Sequence, residues 1–317
     1  MSSTKDLKQR IKGTKNTSKI TAAMEMISAV KMRKAVAKVI AIRPYAESAL
    51  QVLEKVSQAV KLENIAIFKT RTVKNVLIVV VTSNRGLCGS FNTQIIKEVR
   101  SQIEKLEAKN AELNNIEFLS IGKKGDKMLR RFGKKIVASY PDIVSEPSME
   151  AISSVSRLLR DEFDAEKYDK VVLVYTDYIS PMVQKTRSRR ILPLSYGAVE
   201  DELDEMDKHP QPSYINEEIK TEKLEKVKKL ESEYTIEPSP EQVLRTLVPR
   251  LLRMQLYHAL LESNASQEAA RMLAMRNATE AAKDMIGEFT LAYNQLRQAK
   301  VTQEIAELSA GMAAVEG

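Results

Sequence analysis

The sequence predicts an α/β fold: a long antiparallel coiled coil made by the two ends of the chain, and a central, mostly parallel α/β domain between them. Three observations predict it. Apolar residues recur at 3-4 spacing near both termini. A continuous apolar run, Val76–Val81, opens a middle section in which strand and helix patterns alternate. Only 10 Gly and 10 Pro occur in 317 residues, too few for a turn-dense all-β chain.

The first segment, 1–60, reads as one helix with a single Gly (Gly13) and a single Pro (Pro44). Its 3-4 stripe runs through Ile20, Ala23, Ile27, Val30, Lys34, Ala37 and Ala41, which marks these residues as the expected seam against a second helix. Charge is lopsided here: residues 1–43 hold eleven basic side chains against Asp6 and Glu25.

In the segment 70–196, VLIVVV has the β-branched, unbroken character of a strand buried on both faces. The loop SNRGLCGSFN follows, then a helix from about Thr93 to Lys109. Strands are expected at Ile116–Ile121, Ile136–Ser139, Lys170–Thr176 and, short, at Arg190–Leu194, with a helix over Met149–Phe163. Alternation of this kind implies a parallel, Rossmann-like sheet. Residues 197–238 change character: from 200 to 237 there are thirteen acidic and six basic residues, so a solvated insertion is expected, with Ile215, Ile219, Val227 and Leu230 able to line a short helix.

The last segment, 239–317, starts with SPEQ: Ser239 as N-cap, Pro240 at the first helical position, Gln242 at the third. A 3-4 stripe runs through Leu244, Leu247, Leu251, Met254, His258, Leu261, Ala265, Glu268, Met272, Met275, Thr279, Ala282, Ile286, Phe289, Tyr293 and Leu296, with only His258, Glu268 and Thr279 departing from an apolar or small type. After Leu296 the register slips, and Val301, Ile305, Leu308 and Met312 begin a new stripe. Pro249 predicts a kink or a loosened first turn. Pairing the two terminal helices antiparallel buries both stripes, and 70-odd helical residues give a rod on the order of 100 Å long. The near-uncharged tip, LSAGMAAVEG, fits either a narrow apolar sleeve or a frayed terminus.

Chemistry is sparse. One cysteine, Cys88, and two histidines, His209 and His258, leave no disulfide and little for metal binding, and no Trp is present. Gly86 and Gly89, and the GKKG of Gly122–Gly125, follow strands, yet neither G-x-x-x-x-G-K-[ST] nor G-x-G-x-x-G occurs. No catalytic constellation, cofactor or metal site is expected. Cys88 reads as a packed thiol and His258 as a core histidine. A net charge of +8 suggests an acidic partner. The first residues lack the apolar core of a secretory signal, and no run approaches membrane-spanning length, so an intracellular chain is expected.

ITAAMEMISAVKMRKA (Ile20–Ala35), RPYAE (Arg43–Glu47), SNRGLCGSFN (Ser83–Asn92), ALLESNASQEAARMLAMRNAT (Ala259–Thr279) and YNQLRQAKVTQEI (Tyr293–Ile305) together resemble the gamma subunit of F-type ATP synthases. The resemblance implies a central shaft without catalytic function. Its partners would be three alpha and three beta subunits around the coiled coil, the epsilon subunit, and the membrane ring of small subunits. It implies a peripheral place on the cytoplasmic side of the inner (plasma) membrane and coupling of proton flow to the catalytic beta subunits. It also implies contact residues. Met24, with Lys31 and Arg33 near it in sequence, would face the beta lobes, which in the family carry an acidic segment. Arg85 would approach a beta subunit. Arg297, Gln298, Thr302 and Glu304 match the upper catch on the beta subunits, and the slip after Leu296 is expected to turn these polar side chains outward. Tyr234 and Glu237 match the foot near the ring and epsilon. The insertion over 200–233 is longer than most members carry, and the cysteine pair of the chloroplast form is absent, which points to a bacterial form.

Two other classes fit parts of the sequence. A nucleic-acid-binding coiled coil rests on the basic first helix alone, without aromatic interleaving. A nucleotide-binding α/β enzyme with helical arms rests on the glycine loops.

Overall fold

The computed structural model describes residues 4–60, 66–194 and 236–316. The insertion read at 197–238 lies almost wholly outside them. In chain order the elements are α1 (Thr4–Ala59), β1 (Asn75–Val81), α2 (Phe91–Lys109), β2 (Asn115–Ile121), α3 (Lys123–Arg131), β3 (Ile136–Ser139), α4 (Met149–Asp164), β4 (Lys170–Tyr178), β5 (Gln184–Leu192) and α5 (Pro240–Glu316). The chain divides into two compact units. One comprises residues 1–30 and 271–317, the other residues 31–270.

The larger unit is built on a five-stranded sheet of order β3-β2-β1-β4-β5. The first four strands are parallel and β5 pairs antiparallel with β4. Alternation divides β1 between two cores. Val76, Ile78 and Val80 face α2 and α3, packing on Phe91, Ile95, Val99 and Leu129. Leu77, Val79 and Val81 join a second core with Ile152, Val155 and Leu159 of α4, Ile42 and Leu53 of α1, and Leu244, Leu251 and Leu256 of α5. Both faces are therefore covered, which explains why β1 carries no polar alternation.

The terminal signals of α5 and α4 work as capping chemistry requires. Gln242 N donates to Ser239 Oγ at 3.3 Å, and Ala151 N donates to Ser148 Oγ at 3.2 Å. α5 continues as helix through Pro249.

β5 differs from its expectation. It spans Gln184–Leu192 where only a short strand near Arg190–Leu194 was expected. Its sequence, QKTRSRRIL, looks like a loop because it is charged. It is an edge strand, and Lys and Arg on an edge discourage pairing with a further strand.

The smaller unit consists of the start of α1 and the end of α5. Thr21 and Thr279 are both buried there, with their hydroxyls 2.7 Å apart. α5 is exposed on every side from Leu296 through Ala310. A parallel partner would cover that stretch, since α1 has residues to spare in that direction. An antiparallel one runs out: counting outward from the threonine pair, Thr4 falls opposite Leu296. The helices are therefore antiparallel.

The seam on α1 lies one residue away from its expected place. The residues turned inward are Thr4, Leu7, Ile11, Thr14, Ser18, Thr21, Glu25 and Ser28, a 3-4 series rich in hydroxyls. The expected seam residues Ile20, Ala23, Ile27, Val30, Lys34, Ala37 and Ala41 are all exposed, with Ile20 at 61% and Ile27 at 56%. On α5 the expected seam holds: Met275, Thr279 and Ala282 are buried, and Ile286, Phe289 and Tyr293 are half-buried.

Candidate partner-facing surfaces

In the smaller unit, Met24 is half-buried at the edge of the α1 seam, and the outer stripe of Ile20, Ile27 and Val30 lies uncovered. The seam is rich in hydroxylated residues, while Ile20, Ile27 and Val30 point away from it. Arg297, Gln298, Thr302 and Glu304 are all exposed on α5 beyond the point where α1 ends. They do face outward, as expected. The cause is the end of the partner helix, since the new stripe at Val301, Ile305, Leu308 and Met312 is equally exposed. Polar pairs one turn apart support this lone helix: Lys300 Nζ lies 3.7 Å from Glu304 Oε1, and Gln303 Nε2 donates to Glu307 Oε1 at 2.9 Å.

In the larger unit, Lys31 and Arg33 are exposed on α1, flanking the buried Met32. The sulfur of Met32 accepts from Tyr178 Oη at 3.8 Å, which ties α1 to the end of β4. Arg85 is exposed on the loop after β1, and its carbonyl is held by Ser83 Oγ at 2.7 Å. Leu87 beside it adopts φ 62° and is 61% exposed. Glu237 is exposed and, with Arg245 and Arg250, lines a cavity of about 590 Å³ at the start of α5. Tyr234 lies outside the described residues.

The glycine loops are filled by the protein itself. At the start of α3, Lys123 N donates to Asn84 Oδ1 (2.9 Å), Lys124 N to the Ser83 carbonyl (3.1 Å) and Gly125 N to Thr82 Oγ1 (2.8 Å). These are the donors a phosphate would need. Cys88 is buried, 3.3 Å from Asn92 Nδ2.

Sequence reasoning missed the buried polar residues of this unit. Glu262, 1% exposed, accepts from Tyr178 N at 2.7 Å, and His258 lies one turn back with Nε2 at 3.5 Å. Burial pushes the Glu262 carboxyl up to about 7, against the pull of His258 and the Tyr178 amide. Nearby, Arg187 pairs with buried Asp177 at 2.5 Å, and Ser266 Oγ donates to the Thr176 carbonyl at 3.2 Å. At the other edge of the sheet, buried Glu117 accepts from Lys135, Tyr168 and Asn115, which holds its carboxyl below the usual range despite burial. A charged residue at each place breaks the apolar pattern, but only the fold shows that each is partnered.

Long helices whose apolar and polar surfaces outrun their own core define a component of a larger assembly. A family model described as ATP synthase matches residues 3–315. The ATP synthase gamma chain of Heliobacterium modesticaldum is 36% identical over 312 residues, covering 98% of both chains. That of Bdellovibrio bacteriovorus is 34% identical over 317 residues, covering 100% of each. Among solved structures, the rotor of the Euglena gracilis mitochondrial ATP synthase superposes with a TM-score of 0.59 at 19% identity, covering 94% of this chain and 98% of that one. The Tetrahymena thermophila central stalk gives 0.56 at 24% identity, covering 82% and 99%. This chain belongs to the ATP synthase gamma chain family.

Among the described residues, no helix is long and apolar enough to cross a membrane.

Proposed function

We propose that the chain is the central-stalk rotor of a proton-translocating F-type ATP synthase. It turns with the membrane ring, carries epsilon, and drives the three catalytic beta subunits in turn through their conformational cycle, while making and breaking no covalent bond itself. The observation that carries this reading is the inverted use of α1. Its stripe through Ile20, Ile27 and Val30 is exposed, and its seam is rich in hydroxyls. An exposed apolar stripe on a helix calls for protein around it. A partner's equilibrium shifts only if its states are contacted unequally. A single chain inside a threefold ring supplies that inequality.

In this reading Met24, Lys31, Arg33 and Arg85 contact beta subunits lower on the shaft, the cations meeting acidic lobes one at a time. Arg297, Gln298, Thr302 and Glu304 form the upper catch on the lone end of α5, and Tyr234 and Glu237 belong to the foot. The complex sits on the cytoplasmic side of the plasma membrane, with this subunit peripheral. The test is reconstitution with alpha and beta subunits. One copy per three alpha–beta pairs, with ATP-driven rotation of a bead attached to the α/β body, is expected. A free chain that hydrolyses ATP, or no association, overturns the reading. In vesicles carrying the whole complex, Met24→Lys should lower proton pumping per ATP turned over, and unchanged coupling removes Met24 from the contact.

A further inference from the structure

α3 and the turn after it, KKGDKMLRRFGKK, hold seven basic residues and one acidic residue. Lys123, Lys124, Lys127, Arg130, Arg131, Lys134 and Lys135 are all exposed. Two of the charges are already engaged: Arg130 with Asp126 at 3.1 Å, and Lys135 with Glu117. Lys123, Lys124, Lys127, Arg131 and Lys134 meet no acidic group among the described residues. Phe132 stands between them at 52% exposure. The turn lies at the start of β3, where Phe118 N donates to the Lys135 carbonyl at 2.9 Å. The bond to buried Phe118 of β2 thus fixes it in place.

We infer that this cationic face with its exposed ring is a docking surface for anionic lipid headgroups. Lys-rich charge combined with an aromatic side chain at the tip is the chemistry of an interfacial contact. The surface is a helix and the turn that follows it. The inference rests on the rotor reading in one respect. A stationary protein partner would hold a turning subunit at preferred angles, whereas a fluid layer of headgroups attracts it equally at every angle. A stationary acidic protein partner is therefore the poorer fit.

The experiment uses the full chain with vesicles of phosphatidylcholine alone and of phosphatidylcholine mixed with phosphatidylglycerol, read by co-sedimentation at low and physiological salt. Binding to the mixed vesicles only, weakened by salt, is expected. The variant Lys127→Glu/Arg131→Glu/Lys134→Glu should bind at least tenfold more weakly, and Phe132→Ser should weaken binding without changing its salt dependence. The control Lys8→Glu/Lys12→Glu/Lys15→Glu places the same charge change on α1 and should keep most of the binding. Circular dichroism checks that each variant is folded. Equal loss in the control means net charge alone is responsible and overturns the inference. So does binding of polyglutamate by the α3 face in place of vesicles, or no binding by the wild-type chain. If α3 variants lose vesicle binding while the reconstituted complex still couples, the rotor reading stands apart from this result; loss of assembly with intact vesicle binding is the opposite case.

Discussion

Thr21 and Thr279 face each other across the helix pair with their hydroxyl oxygens 2.7 Å apart. Each also reaches a carbonyl on its own helix, Ser18 at 3.1 Å and Met275 at 2.8 Å. Two protons serve three contacts, so one hydroxyl bridges the helices while the other satisfies its own backbone. Thr279→Val keeps the shape but removes the bridge and leaves Thr21 with the Ser18 carbonyl alone, costing about 1 kcal/mol. The double variant Thr21→Val/Thr279→Val should cost less than the sum of the singles, because both polar groups leave together. Chemical unfolding of the four proteins measures the coupling, and simple additivity would show that the bridge contributes nothing.

The one-residue offset of the α1 seam makes neighbouring positions respond in opposite ways. Ser28 is 2% exposed, so Ser28→Leu overfills the seam and should cost about 1–3 kcal/mol in the isolated chain. Ile27 is 56% exposed, and Ile27→Ser should change stability by no more than about 0.5 kcal/mol. Its effect should emerge on assembly with alpha and beta subunits. A reversed order of the two stability losses would return the seam to the Ile20–Ile27 stripe.

Glu262 sets a pH dependence whose sign follows from its raised pKa. The folded chain holds the proton up to about 7, whereas the unfolded chain releases it near the ordinary value of 4.5. Its stabilising effect is full below that ordinary value and is lost as pH rises through about 7. Glu262→Gln keeps an oxygen for the Tyr178 amide but carries no charge, so it should flatten this slope and melt higher than wild type at about pH 8. The Asp177–Arg187 pair and His258 lie close to the same carboxyl. If the variant melts lower at every pH, these neighbours hold Glu262 ionised instead.

Gly122 and Gly133 both have positive φ, at 108° and 65°. A Cβ on Gly122 would lie 2.2 Å from the Thr82 carbonyl oxygen, whereas one on Gly133 meets nothing within 4 Å. Gly133→Ala should therefore cost about 1 kcal/mol from backbone strain alone. Gly122→Ala should cost well over about 2 kcal/mol, because it also forces the β1 and α3 loops apart. Comparable melting temperatures for the two variants would contradict the close approach.

What the sequence reveals depends on whether a residue's environment lies within the chain. The α5 seam at Met275, Thr279 and Ala282 was readable because the periodicity there coincides with burial inside the protein. The α1 seam was not. Ile20 and Ile27 outweigh Thr21 and Ser28 on any apolar scale, so the pattern selects the exposed face. The same bias hid β5, whose Lys and Arg guard an edge. The buried carboxylates Glu117 and Glu262 were beyond reach because their partners, Tyr168 and the Tyr178 amide, come from distant parts of the chain. The outward Arg297 and Gln298 were anticipated from a register slip, but the direct cause, the end of α1 at Thr4, depends on the pairing register of two segments far apart in sequence.

The sheet order reverses between β1 and β4, and open α/β sheets commonly receive a small ligand in the crevice beyond their strand ends at such a reversal. Here α5 is bonded to the end of β4 through Glu262 to the Tyr178 amide and Ser266 to the Thr176 carbonyl. These two bonds key α5 to the strand end. A twist applied to that part of α5 passes into the backbone of the sheet through polar keys, where greasy contacts alone would let the helix slip.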